Sequence, residues 1–259
     1  LLDSESTQLG LDKLISNPAT LELVRTLGSK PFGMILVTGP TGSGKSTTLY
    51  SLLAERNEPG INISTVEDPI EYTLPGITQC QVNRDKGFDF STALRAFMRQ
   101  DPDVLLVGET RDKETAKTAI EAALTGHLVL TTLHCNDAPS AIARLDEMGV
   151  EPFMVSASLL GIVSQRLLRR VCSDCRIPYH PDSQELGRFG LITSNEDDVT
   201  FFKAKHHEGP QKPCPNCQGT GYKGRIGVYE VLRMNEALAA SVAKGATTDL
   251  VRQLALEAG

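Results

Sequence analysis

"GPTGSGKS", residues 39–46, is the stretch whose reading decides the fold. It satisfies Gly-x-x-x-x-Gly-Lys-Ser/Thr in full. Before it, "GMILVTG" is a short apolar run that predicts a strand; after it, "SGKSTTLYSLLAER" has the period of a helix. Gly39, Gly42 and Gly44 let the backbone bend until successive N–H groups face one anion. The helix beginning near Lys45 adds its positive end. Lys45 is placed to contact β- and γ-phosphates, and Ser46 to give its hydroxyl oxygen to magnesium. Pro40, Thr41, Ser43 and Thr47 complete the candidate nucleotide-binding set. A glycine-rich turn matching by chance is the alternative, and both flanks speak against it.

Outward from this loop, strands alternate with helices. "INISTVE", "DVLLVG" and "HLVLTTLH" read as buried strands. "ATLELVRTLGS", "FSTALRAFMRQ", "KETAKTAIEAAL" and "APSAIARLDEM" read as helices. That alternation over residues 33–150 predicts an α/β fold whose mostly parallel sheet is covered on both faces. "EYTLPGITQCQVN" reads as a surface hairpin from its Pro-Gly punctuation. "PFMVSASLLGIVSQRLLRR" reads as a long helix whose terminal arginines cap a helix dipole. A strand, "RIGVYEVL", and two helices near 235–244 and 247–257 close the chain. The expected divisions are 1–32 as a leading segment, 33–170 as the nucleotide core, 171–224 as a cysteine subdomain and 225–259 as a C-terminal part.

Hydrolysis of a phosphoanhydride needs an acid that handles metal and a group that orients water. Both belong at the carboxyl ends of sheet strands. "STVEDPIEY" delivers Glu67, and "DVLLVGETRD" delivers Glu109. Lone acids at strand ends often only cap loops, but two such ends after a phosphate loop favour chemistry. His127 and His134 flank one strand, about 23 Å apart if it is regular. His134, at the carboxyl end, is placed to sense a γ-phosphate; His127 belongs to the other end. Arg95 and Arg99 lie four apart and share a helix face. They are either a solvated stripe or a pair of fingers for a neighbour's phosphates.

The 259 residues carry a formal net charge of −6, which disfavours nucleic acid or an anionic membrane as a default partner. No apolar run is long enough to span a bilayer. The first residue is not Met and the last lie in a helical pattern, so a fragment of a longer protein is expected. Cys172-x-x-Cys175 and Cys214-x-x-Cys217 each offer half of a tetrahedral set and predict a closed, structural zinc site. Their separation is wider than the spacing common in zinc ribbons. His206 and His207 are weaker spare ligands.

"GPTGSGKST", "STVEDPIEY", "RQDPDVLLVGETRD" and "TGHLVLTTLH", in this order, resemble the Walker A loop, aspartate box, atypical Walker B and histidine box of the secretion ATPase superfamily. That family comprises motors of type II secretion and type IV pili. The resemblance extends from about residue 10 onward and implies a RecA-like P-loop core that hydrolyses ATP with Mg2+ in a homo-hexameric ring. It implies Glu67 as the water-activating acid and Glu109 as the acid that holds magnesium through water. It implies that Arg95 and Arg99 cross the subunit interface. Many assembly and secretion motors of this family carry a tetracysteine lobe, and retraction motors typically lack it, so pilus assembly or type II secretion is the implied use. The implied partners are an inner-membrane platform protein and a cytoplasmic adaptor. The chain would then be cytoplasmic, peripheral to the inner membrane through those partners, without inserting into it and without nucleic acid. A conjugative DNA-transfer motor and a non-hydrolysing nucleotide-dependent scaffold are the alternatives.

Overall fold

Gly33–Thr38 (β1) is buried along its whole length, and its side chains divide by parity. Met34 and Leu36 enter one apolar cluster; Ile35 and Val37 enter another. Alternate residues of a strand face opposite sides, so a strand buried on both faces requires two covering layers. The computed structural model, which describes residues 9–191, 199–205 and 212–259, supplies both. Leu11–Leu14 (α1), Pro18–Gly28 (α2) and Lys45–Arg56 (α3) contribute to the second cluster. Phe90–Phe97 (α4), Lys113–Leu124 (α5), Ala138–Glu147 (α6) and Pro152–Ser158 (α7) contribute to the first.

The other strands of the sheet are Ile63–Glu67 (β2), Thr78–Gln81 (β3), Val104–Val107 (β4), Leu128–Leu133 (β5) and Leu159–Val171 (β6). Two more, Ile177–Tyr179 (β7) and Phe201–Lys203 (β8), pair separately, and Tyr222–Arg233 (β9) follows. The seven-stranded sheet has the order β3-β2-β4-β5-β1-β6-β9. Every pairing from β3 through β6 is parallel. Register places the strand ends side by side: Thr38 pairs with Leu133 and with Ser164, and Val107 with Thr131 and Val66. The carboxyl ends of β1, β2, β4 and β5 therefore gather along one edge, level with Ser164 in the middle of β6. Asp112 caps the start of α5, accepting the N–H of Thr115 at 2.8 Å.

Two expectations fail. Residues 152–170 are not one helix: α7 stops at Ser158, and the chain continues as β6 beside β1. The segment Leu159–Gln165 is almost continuously buried, so its apolar positions carry no period that separates strand from helix. Gly161 confirms the tight fit, because a Cβ there would fall on Leu27 and on the carbonyl of Leu232. Arg166, Arg169 and Arg170 thus end no helix. Arg166 donates to the carbonyl of Asn136 at 3.2 Å, and Arg169 lies 4.1 Å from the centre of the Tyr222 ring. Nor do residues 71–83 form a hairpin. β3 runs parallel to β2, and Gln79 on it donates to Glu67 and to the carbonyl of Tyr72 in the intervening loop, each at 3.1 Å.

The chain divides into two units, residues up to Arg166 with Gly227–Gly259, and Leu167–Ile226. The first ends with Glu236–Ala243 (α9) and Thr248–Glu257 (α10). The second contains the antiparallel pair β7–β8, the short helix Ser183–Arg188 (α8) and all four paired cysteines. No described helix is long and apolar enough to cross a membrane.

Candidate functional site

The phosphate loop leaves β1 after Thr38 and enters α3 at Lys45. Gly39, Gly42 and Gly44 have φ of 148°, 76° and 87°. Lys45 Nζ lies across the loop and donates to the carbonyls of Gly39 (2.9 Å) and Pro40 (3.0 Å). Burial lowers the pKa of Lys45, and the nearby Glu109 carboxylate pulls it back up. The hydroxyl of Ser43 is buried and has no hydrogen-bond partner within the described protein, a feature that suits a loop built around an anion. Lys45 and Ser46 are the first residues of α3, so their N–H groups have no intrahelical acceptor and add to the positive end of the helix. Thr41, Ser46 and Thr47 remain accessible to solvent in part or in full.

Glu109 lies at the end of β4, two residues beyond Val107. Gly108 makes this possible: its N–H donates to Val66 O at 2.8 Å, and a Cβ would stand 3.2 Å from Glu67 Cα. The Thr132 hydroxyl donates to Gly108 O at 2.7 Å and the Thr110 N–H to Thr132 O at 3.0 Å. Thus braced, Glu109 is 16% exposed and accepts from Arg111 at 2.5 Å, with His134 Nε2 3.1 Å from its other oxygen. Burial would raise the Glu109 pKa, but the hydrogen bond and charge of Arg111, with His134 and Lys45, hold it below the ordinary carboxylate value. The carboxylate is therefore ionised at neutral pH.

Glu67 occupies a different environment, 4% exposed. Its carboxylate accepts from the Tyr50 hydroxyl, from Thr65 at 2.7 Å and from Gln79 at 3.1 Å. The Tyr50 hydroxyl in turn accepts from the N–H of Glu71 at 3.3 Å, and its ring meets Tyr72 edge-on. Burial and the Glu67 carboxylate push the pKa of Tyr50 far up, so it stays a donor. Asp68, next to Glu67, pairs with Arg84 at 2.9 Å. Among the predicted residues, the structure brings Lys45, Glu109 and His134 together. It puts His127 at the far end of β5, bonded to Ala122 O at 2.8 Å, and pairs the exposed Arg95 with Glu114 at 2.7 Å. Arg99, just past α4, is exposed.

Tyr50, Thr65 and Gln79 are site residues that pattern reading did not single out. Gln165 is another. Its Nε2 donates to Ser43 O at 2.7 Å, and its Oε1 accepts from the Thr48 hydroxyl at 2.7 Å.

In the second unit the sulfurs of Cys172, Cys175, Cys214 and Cys217 all lie within 4.8 Å of one another. Cys172 and Cys214 are 4.0 Å apart, and Cys175 and Cys217 3.6 Å. A tetrahedral ion with metal–sulfur bonds of about 2.3 Å needs sulfur separations of about 3.8 Å, so the set fits a thiophilic metal. Outer groups support it: Gly221 N–H donates to Cys217 at 3.3 Å and Asn216 to Cys172 at 3.6 Å. Burial alone would raise the Cys217 thiol, but the N–H groups of Gly221 and Gly219 and the Cys175 and Cys214 thiols bring it to about 7. His206 and His207 lie outside the described residues.

The family described as "Type II/IV secretion system protein" matches residues 1–258. The chain is 48% identical over 242 residues to the type IV pilus assembly ATPase PilB of Thermus thermophilus, covering 93% of this chain and 26% of that protein. It is 48% identical over 238 residues to the type II secretion system ATPase E of Vibrio cholerae, covering 92% of this chain and 46% of that one. Among solved structures, the pilus retraction motor PilT with bound ADP superposes with a TM-score of 0.65 at 33% identity, covering 95% of this chain and 58% of that one. The chain thus spans half or less of the length of these two curated relatives.

Proposed function

The chain belongs to the type II/IV secretion system protein family, and on that premise we propose that it is the ATP-hydrolysing core of a motor for type IV pilus assembly or type II secretion. The observation that carries this is the ionised Glu109, at the end of β4, shared between Arg111 and His134 and within the field of Lys45. Glycine-rich loop, lysine and strand-end carboxylate are the parts that bind and polarise a nucleoside triphosphate.

The roles follow from chemistry. The loop from Gly39 to Thr47 would cradle the phosphates, with Lys45 leaving the Gly39 and Pro40 carbonyls to meet the β- and γ-oxygens. Oxygen donors suit a hard cation, so Ser46 and Glu109 would hold magnesium, which when bound neutralises charge on the leaving phosphate. His134 lies 3.1 Å from one Glu109 oxygen and is proposed to sense the γ-phosphate. Glu67 is the second acid, proposed to activate water; its three donors hold it in one orientation. Arg95 and Arg99, exposed on or just past α4, are proposed to reach a neighbouring subunit's phosphates in a homo-hexameric ring.

Zinc is the metal proposed for Cys172, Cys175, Cys214 and Cys217, where four thiolates would close the coordination shell and leave no position for substrate. The relatives at 48% identity are named for pilus assembly and for type II secretion, which supports that direction of work over retraction. An inner-membrane platform protein and a cytoplasmic adaptor are the proposed partners, at the cytoplasmic face. Phosphate release by the full-length protein, beside Lys45→Ala and Glu109→Gln, tests the proposal. Both variants are expected to lose turnover by at least about a hundredfold, as for electrostatic groups at a transferring phosphoryl group. Equal rates in all three would refute it.

A further inference from the structure

β6 brings one polar side chain to the phosphate loop from outside the motif. Ser164 pairs with Thr38, so Gln165 stands level with Gly39, the first residue of the loop. Gln165 is 2% exposed, yet both functions of its amide are used. The Nε2 group donates to the Ser43 carbonyl at 2.7 Å, inside the loop, and Oε1 accepts from the Thr48 hydroxyl at 2.7 Å, on the first turn of α3. Its main chain closes on the same loop, since a Cβ at residue 39 would fall on the Gln165 carbonyl oxygen. Gln165 holds the loop through Ser43 and Thr48, and Lys45 through the carbonyls of Gly39 and Pro40.

We propose that Gln165 is a positioning residue for nucleotide binding: by spanning Ser43 O and Thr48 Oγ1 it holds the phosphate loop in its anion-binding curvature. The proposal rests on the assignment of the loop as a nucleotide site and deepens it. A carbonyl turned inward would put a negative dipole among the phosphates, whereas a carbonyl fixed outward by Gln165 leaves the N–H groups facing in. Gln165 touches no reacting atom, so its loss weakens binding and leaves chemistry intact once the nucleotide is bound.

Full-length protein supplies the test, with ATP and ADP affinities from a fluorescent nucleotide analogue and kcat and KM from phosphate release. Gln165→Leu is expected to raise Kd and KM roughly ten- to a hundredfold, the scale of a lost buried hydrogen bond, with kcat within about twofold. Gln165→Glu separates positioning from packing. As a carboxylate it cannot donate to Ser43 O; protonated, it can. Its affinity, relative to wild type at the same pH, is expected to be poor at pH 8 and to recover at pH 5.5. A folded Gln165→Leu that binds within twofold of wild type, a fall in kcat with KM unmoved, or a pH-independent Gln165→Glu defect overturns the inference. If Gln165→Leu does not fold, the pH profile of Gln165→Glu decides alone. Lys45→Ala distinguishes the two levels: if it binds nucleotide like wild type, the site assignment itself fails, and if only Gln165→Leu does so, the bracket fails.

Discussion

Tyr50→Phe isolates one hydroxyl in a buried charged cluster. The ring stays and keeps its edge-on contact with Tyr72, so no cavity opens. What disappears is the donor to the Glu67 carboxylate, which is 4% exposed and keeps only Thr65 and Gln79 as donors. A hydrogen bond to a charged group is worth about 1.5–3 kcal/mol, and burial of both partners removes the solvent screening that would reduce it. At roughly 2–4 °C per kcal/mol for a chain of this size, the melting midpoint should fall by about 3–12 °C. The Glu71 N–H also loses its acceptor, but Glu71 is exposed and water replaces the bond. Urea unfolding at pH 7.5 is the assay, with the m-value expected to stay constant. In a Glu67→Gln background the same change removes only a neutral hydrogen bond, and its cost should drop to about 0.5–1.5 kcal/mol. An equal cost in both backgrounds, or a cost below about 0.5 kcal/mol in the first, would refute the charged-cluster account.

Glu109 is held below its ordinary pKa, so its ion pairs stabilise the fold above the ordinary carboxylate range, and that contribution is lost as pH falls through the depressed value. The stability difference between wild type and Glu109→Gln should thus shrink below about pH 4, read by unfolding midpoints from pH 3 to 7. Purified protein should carry one zinc per chain by elemental analysis, and Cys172→Ser or Cys214→Ser should abolish it; a metal-free wild type contradicts the site. Gly39→Ala places a Cβ on the Gln165 carbonyl at a φ of 148°, and nucleotide binding should fall below detection in equilibrium dialysis. Arg95→Ala should bind nucleotide normally but lose turnover at ring-forming concentration; loss of binding instead would place Arg95 in its own subunit's site.

The sequence made legible those parts whose chemistry is local. The phosphate loop, the acid after β4, the strands of the parallel sheet and each Cys-x-x-Cys pair follow from residues close together in the chain. Gln165 escaped because a strand buried on both faces has no period to read, and "LLGIVSQRLLRR" passes equally for a helix. A single amide inside that apolar run was the available signal, since a buried polar group needs a partner. Tyr50 escaped because on an amphipathic helix a tyrosine at a buried position reads as packing. Only the folded chain, which brings α3 to the end of β2, reveals that its hydroxyl meets Glu67. Arg95 and Arg99 were read from helical spacing as one face, but the helix stops at Phe97 and leaves Arg99 beyond it, and spacing says nothing of what either side chain meets.

Gly39, His134 and Gln165 each follow directly on residues paired across neighbouring strands, Thr38 with Leu133 and Thr38 with Ser164. Three strands thus share one ruler. Deleting a single residue ahead of one of these groups would draw that group back by about 3.3 Å and turn the side chains beyond the deletion to the opposite face. Insertions and deletions can accumulate only in the crossovers. A lineage of such proteins can therefore vary freely in overall length while these three segments keep theirs, and a change of length inside one of them would signal a chain that has given up the site.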